Sequence, residues 1–137
     1  MNLRTLSRRV GIAVAIATVL ALAAPYAFVS EPEYATQLTA YYASGVVGAA
    51  GIALFALVSA VIIGSVEQGN FDPGTLAGVA VMLSVATTLS AATWAVAIEP
   101  TTMFADHRWL EWHAPAVVGI SALIPVCAAV YARELLT

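Results

Sequence analysis

The sequence predicts an all-α integral membrane protein, a bundle of four transmembrane helices that forms a single domain over residues 1–137. Apolar side chains make up 61% of the chain and charged ones 9%, whereas soluble chains are about 45–50% apolar and about 25% charged. The few charges separate four charge-free stretches, each long enough for the roughly 20 apolar residues that a spanning helix needs. None of these stretches alternates apolar and polar residues as the strands of a membrane barrel do. This composition excludes a soluble enzyme and a nucleic-acid-binding module.

The first and second spans are predicted at about residues 10–30 and about residues 41–66. Pro32 follows the first span and ends it. The second charge-free stretch already begins at Tyr34, but its first residues are largely polar. We therefore expect residues 34–40 to form an interfacial lead-in to the second helix.

The third and fourth spans are predicted at about residues 73–98 and about residues 112–132. Asp72-Pro73 is typical of a helix start, with an N-cap followed by proline at the first helical position. Glu99-Pro100 is typical of a helix end. The lone Cys127 excludes an intrachain disulfide and a CxxC motif.

The arginines predict the orientation of the bundle. Four of the five lie before the first span or after the fourth, and only Arg108 lies in a loop on the opposite side. By the positive-inside rule, both ends of the chain are cytoplasmic in a multi-pass protein of the cell membrane. The loop at residues 67–72 should also be inside, yet it carries no positive charge. The predicted membrane-interface anchors are Arg8, Arg9, Tyr41, Trp109, Trp112 and Arg133.

The segment Ser7-Arg8-Arg9-Val10 admits a second interpretation, because a twin arginine before an apolar run is typical of an export signal. We favour a retained first helix, since its arginines then serve as cytoplasmic anchors.

Small residues at four-residue spacing mark the second and third helices as packing elements, because helices in lipid associate through close backbone approach. The two rows predict an antiparallel pair joined by a short loop. A docking face for another protein or another copy of the chain is the alternative. The predicted packing residues are Gly45, Gly48, Ala49, Ala56, Ala60, Gly64, Gly74, Gly78, Ser84 and Thr88.

Hydroxyl side chains are frequent on the third helix, which would suit a polar transport pathway. More often such hydroxyls bond to carbonyls of their own helix or bridge to a neighbouring one. Proton-coupled transporters carry ionisable groups inside their spans, and here every formal charge lies at a helix end. A small transporter therefore stays a lesser alternative.

The segment from Met103 to His113 holds both histidines of the chain. His107 and Glu111 are i,i+4 neighbours on a helix, and either histidine is a candidate ligand for haem or neighbour for a quinone. The histidines are six residues apart, about 240° around an ideal helix, so they would not share one metal ion and no metal site is predicted. The simpler interpretation is an aromatic belt, with the polar tip of His113 in water.

Short motifs support a resemblance across the whole chain: Ala24-Pro25-Tyr26, Tyr41-Tyr42-Ala43-Ser44-Gly45 and Tyr131-Ala132-Arg133. With the absence of lysine and the acidic loops, the chain resembles small four-span membrane proteins of unknown function from halophilic archaea. The resemblance implies location and architecture and leaves activity open.

The function expected from the sequence is that of a non-catalytic integral membrane protein. The short loops leave no room for a soluble catalytic domain. Such a chain would act as an accessory or structural subunit of a membrane complex, or as a homo-oligomer, with the lipid bilayer and partner helices as its contacts. A redox membrane anchor with haem or quinone near His113 or His107 is the alternative.

Overall fold

The computed structural model describes residues 2–28, 32–98 and 109–137, and these residues form helices joined by short turns. The helices are α1 (Leu3–Phe28), α2 (Ala35–Ala43), α3 (Gly48–Ser65), α4 (Pro73–Ala97) and α5 (Leu110–Leu136). Short 3-10 turns at Pro32–Tyr34 and Val66–Gln68 precede α2 and follow α3. The four long helices α1, α3, α4 and α5 are each long and apolar enough to cross a membrane. The predicted fold class, an all-α four-helix bundle, is confirmed.

The four long helices form a closed ring in which each packs against two others. Helix α1 contacts α3 and α5, and α4 contacts the same two helices from the other side. The predicted pairing of the second and third spans is therefore confirmed, as the α3–α4 contact. The short helix α2 lies outside this ring and contacts the preceding 3-10 turn and α3.

The second span begins at Gly48, and the predicted start at Tyr41 is wrong. The chain forms the separate helix α2 over most of the predicted lead-in, then breaks at residues 44–47. Gly45 and Gly48 adopt φ of 84° and 72°, a left-handed conformation that side chains with a Cβ rarely take. A Cβ on Gly45 would also lie 2.8 Å from the Cα of Trp94. Backbone conformation and close packing both require glycine here, and this stops the helix.

Helices α4 and α5 (Leu110–Leu136, predicted at about 112–132) lie near their predicted positions, whereas α1 begins earlier than predicted. Helix α4 spans Pro73–Ala97, against a prediction of about 73–98, and the Asp72 carboxylate accepts the Thr75 amide at 2.9 Å as its N-cap. This bond and the Thr75 hydroxyl hold the pKa of Asp72 below its ordinary value, because both donate to the charged form. Helix α1 starts at Leu3 rather than at about residue 10. Arginines continue the helix because their long side chains reach the interface.

Small side chains pack with larger ones at the centre of the bundle, and many large apolar side chains also cover its outside. One central cluster consists of Ala15, Ala56 and Ile124, none of them exposed. Outward-facing residues include Met82, which is 75% exposed, and Val61. Soluble monomers rarely expose large contiguous apolar surfaces, so an outside with this many large apolar side chains is suited to lipid.

The hydroxyls of α4 bond mainly to carbonyls of their own helix, as the sequence indicated. Ser84 donates to the carbonyl of Val81 and Thr87 to that of Leu83, both at 2.8 Å. These hydroxyl protons therefore point back at the helix, which agrees with the simpler interpretation of the hydroxyl-rich α4. Thr88 differs, because its hydroxyl also lies 3.1 Å from the carbonyl of Ser121 on α5.

We expect Thr88→Val to destabilise the bundle by about 0.5–1 kcal/mol, the range of interhelical hydrogen bonds in membranes. Thr93→Val is the matched control, because the Thr93 hydroxyl donates to Ser90 of its own helix. The free energy of unfolding in bicelles measures both changes. Equal losses in the two variants would show that the bond to Ser121 contributes nothing.

Candidate functional site at the α2 end of the bundle

Rings from three helices meet at the end of the bundle where α2 lies. Tyr41 of α2 and Trp94 of α4 are fully buried, and His113 of α5 is 7% exposed. The Tyr41 and Trp94 rings are 5.2 Å apart edge to face, and the Trp94 and His113 rings 5.7 Å apart in the same arrangement. This geometry is the favoured one for aromatic pairs. We call Tyr41, Trp94 and His113 the aromatic cluster.

Both ring nitrogens of His113 are held by the protein. Nε2 lies 2.5 Å from the carbonyl oxygen of Ala21, and Nδ1 lies 2.6 Å from the Tyr41 hydroxyl. A carbonyl only accepts hydrogen bonds, so Nε2 carries a hydrogen. In a neutral ring Nδ1 then accepts from the Tyr41 hydroxyl, and the contacts select the tautomer with its hydrogen on Nε2.

Trp94 attaches α2 to α4. Its Nε1 donates to the backbone carbonyl of Tyr41 at 2.7 Å, near the C-terminal end of α2. A carbonyl there lacks a partner within its own helix, so the indole satisfies it. The close approach of Gly45 to the backbone of Trp94 brings the two elements together.

Tyr42 attaches α2 to α1 through the backbone of that helix. Its hydroxyl donates to the carbonyl of Leu22 at 2.7 Å and accepts from the amide of Tyr26 at 3.0 Å. Leu22 and Tyr26 are four residues apart, the spacing of a helical hydrogen bond. The Tyr42 hydroxyl is thus inserted between the backbone groups of α1 at this point. The neighbouring Pro25 also disturbs the backbone hydrogen bonds of α1.

Burial raises the pKa of the hydroxyls of Tyr41 and Tyr42 above the ordinary value of 10.0, and for Tyr41 the neighbouring Tyr42 adds to the effect. Desolvation disfavours the phenolate in each case. Both hydroxyls therefore remain protonated donors at neutral pH.

The expectation that the polar tip of His113 lies in water is wrong, because the ring is buried against Tyr41 and Ala21. A histidine that ligates a metal ion or haem iron needs a free nitrogen lone pair. In the neutral tautomer described above, the lone pair of Nδ1 accepts the hydrogen bond from Tyr41. Ligation would require one of the two hydrogen bonds to break. His107 lies outside the described residues, and Glu111 is exposed. Within the described ranges no three His, Cys, Asp or Glu side chains group to hold a metal ion.

Some of the predicted interface anchors are exposed at the two ends of the bundle, and one is buried. Trp109 and Trp112 are exposed at the start of α5, and Arg9 and Arg133 are exposed at the other end of the bundle. Tyr41, predicted as an anchor, is instead part of the buried aromatic cluster.

A polar network closes the end of the bundle opposite α2. Glu67 pairs with the guanidinium of Arg4 and accepts the Tyr131 hydroxyl at 2.7 Å. Arg8 donates to the carbonyl of Gly64 at 3.0 Å. The turn that carries no positive charge of its own therefore lies against the arginines of α1.

The predicted packing residues divide into an internal set and an outward set. Those buried in the bundle are Gly48, Ala49, Ala56 and Ser84, and those half-buried are Ala60, Gly64, Gly74 and Thr88. Gly45 is exposed in the turn at residues 44–47. Gly78 is also exposed, and a Cβ there would meet no atom of residues 2–28, 32–98 or 109–137 within 4 Å. Most of the two rows thus serves internal packing, and Gly78 faces outward.

A model of a family of unknown function (DUF7548) matches the chain over residues 1–136. The chain belongs to DUF7548. No curated protein and no solved structure shows a significant match to it. The predicted resemblance was to membrane proteins of unknown function, and DUF7548 is a family of unknown function. The origin from halophilic archaea stays a prediction.

Proposed function

We propose that this DUF7548 chain is a non-catalytic integral membrane protein that acts as a structural or accessory subunit. It would associate either with copies of itself or with a partner protein. The observation that carries the proposal is the apolar outside of the bundle: large apolar side chains are exposed on all four long helices, while the described hydroxyls inside are hydrogen-bonded. Such a surface is suited to contact lipid tails and other helices. The aromatic cluster then serves to join helices, with its polar groups engaged within the protein.

The cell membrane is the proposed location, with the start of α1 and the end of α5 in the cytoplasm. The positive-inside rule supports this orientation. Arg4 and Tyr131, near opposite ends of the chain, both contact Glu67. Arg4, Arg8 and Arg9 near the start of α1 and Arg133 near the end of α5 therefore lie at the same end of the bundle.

Gly78 on α4 is the proposed centre of the contact with another copy or a partner. It lies in the small-residue spacing Gly74-xxx-Gly78, which permits close approach of backbones. Among the described residues, none has an atom within 4 Å of a Cβ at this position. A second helix therefore has access to the α4 backbone at this position.

We expect Gly78→Leu to weaken association in the bilayer at least about tenfold, a loss of about 1.4 kcal/mol, because a branched side chain separates the backbones. Resonance energy transfer between labelled copies in liposomes measures self-association, and copurification from native membranes measures a partner. Gly119→Leu is the matched control, because Gly119 of α5 is equally open. A wild-type protein that stays monomeric and yields no partner would contradict the proposal.

A further inference from the structure

A groove of about 310 Å³ opens on the outside of the bundle between α1 and α3, near the end where α2 lies. Its α3 wall consists of Ala49, Ala50 and Ala53, and its α1 wall includes Ala23. Small side chains on both facing helices leave a gap that larger neighbours would fill. Apart from two tyrosines, the groove is lined by alanine, valine and leucine. It is therefore an apolar opening in a surface that is suited to lipid.

Tyr26 and Tyr42 line this groove and also a second cavity, of about 270 Å³, between α1 and α2. The two cavities therefore adjoin. Hydrogen bonds fix the Tyr42 ring at their junction, because its hydroxyl donates to the carbonyl of Leu22 and accepts from the amide of Tyr26. The second cavity is also lined by Thr39, an exposed residue of α2 that carries a hydroxyl. The path through both cavities thus runs from apolar walls to a more polar end.

The length of the groove suits one leaflet of a bilayer. Val19 and Tyr26, its outermost lining residues on α1, are seven positions apart, which is about 10 Å along a helix. One leaflet supplies half of a hydrocarbon core that is about 30 Å thick, so the groove is confined to the leaflet on the α2 side. A partner helix would contact both leaflets. At about 10–12 Å in diameter, such a helix is also too wide to pass between α1 and α2 at the end of the groove.

A single lipid chain matches the groove in width and in chemistry. An unfilled gap deprives its walls of van der Waals contacts. Such contacts matter most inside a bilayer, where the hydrophobic effect contributes little to association. A chain in the groove supplies them, and the polar head that it carries then lies beside the second cavity, near Thr39.

We propose that the groove between α1 and α3 binds one chain of a bilayer phospholipid, with the head group of that lipid beside α2. The site rests on the proposed membrane location. It does not rest on the proposed association through Gly78, which lies near the start of α4 at the opposite end of the bundle. A monomeric protein that binds the lipid would therefore contradict the association alone.

Native mass spectrometry of the full chain, titrated with dioleoyl phosphatidylcholine in detergent micelles, tests the site. We expect the first lipid to bind each chain more tightly than any further lipid. Dihexanoyl phosphatidylcholine carries the same head group on short chains, and we expect it to bind at least about tenfold more weakly because it leaves the groove unfilled. A protein without a preferred first lipid, or one that binds both lipids equally, would overturn the proposal.

Variants that fill the groove assign the binding to it. Ala23→Leu and Ala50→Leu enlarge exposed side chains on its opposite walls. Each should weaken the binding of dioleoyl phosphatidylcholine at least about tenfold, with a helix content by circular dichroism like that of the wild type. Ala116→Leu is the matched control and should bind like the wild type, because Ala116 is also exposed but belongs to α5, which contributes none of the described lining residues. Wild-type binding by either groove variant, or an equal loss in Ala116→Leu, would disprove the site.

Discussion

Replacing Trp94 with alanine is expected to destabilise the protein by about 3–5 kcal/mol, the cost of removing a large buried ring that leaves a cavity. Trp94 is fully buried, and its ring contacts both Tyr41 and His113 edge to face. The substitution also removes the donor to the backbone carbonyl of Tyr41. The free energy of unfolding, measured in bicelles, should show this as the largest loss of any single aromatic truncation in the chain.

Trp112→Ala is the matched control for this loss. Trp112 lies near the start of α5, at the same end of the bundle, and is 70% exposed. Its truncation should change the stability by no more than about 0.5 kcal/mol. Trp94→Phe keeps most of the ring but removes the indole donor, so an intermediate loss is expected, and this variant is informative even where the alanine variant fails to fold. Similar losses for Trp94→Ala and Trp112→Ala would contradict the buried position of Trp94.

Ala56→Leu is expected to destabilise the bundle by about 1–3 kcal/mol, the usual cost of overpacking a filled core. Ala56 of α3 is fully buried and packs with Ala15 and Ile124, so three additional carbon atoms have no space. The same unfolding measurement checks this prediction. In lipid a larger side chain gains little from leaving water, so nothing offsets the strain.

Val61→Leu on the same helix is the control for Ala56→Leu. Val61 is 66% exposed on the outside of the bundle, where one additional carbon meets lipid. We expect a change within about 0.5 kcal/mol. A tolerated Ala56→Leu, with stability like that of Val61→Leu, would show that α1, α3 and α5 are not closely packed at this level.

The fold class and the bounds of α4 were predictable because the relevant chemistry is local. Charge-free stretches of spanning length have few solutions in lipid, since the backbone must satisfy its own hydrogen bonds. Asp72-Pro73 specifies a helix start through one side chain and one ring, and the Asp72 carboxylate does cap the Thr75 amide. Local signals of this kind give helix ends within one or two residues.

The break between α2 and α3 was not predictable from the same signals. Gly45 and Gly48 fit a small-residue row on a continuous helix as well as they fit a turn. What decides between these is the backbone of Trp94, which lies against Gly45 and is distant in sequence. Glycine permits both the close approach of two helices and the interruption of one helix. The spacing of glycines alone therefore does not distinguish a packing face from a turn.

The pairing of His113 with Tyr41 joins residues 72 positions apart, and no local pattern indicates it. One signal was available: a histidine near an apolar helix needs hydrogen-bond partners if it is buried. Tyr41, predicted as an anchor at the membrane interface, was a natural candidate. The sequence interpretation placed both His113 and Tyr41 at an interface with water and therefore did not pair them.

Sidedness is the most direct test of the central claim, a bundle that crosses the membrane with α2 on one side and the α3–α4 turn on the other. In a Cys127→Ala background, single substitutions Thr39→Cys on α2 and Asn70→Cys in the turn place a thiol at exposed positions at opposite ends of the bundle. A membrane-impermeant maleimide applied to intact cells should label Thr39→Cys and should label Asn70→Cys only after lysis. Labelling of both positions from the same side would contradict the account.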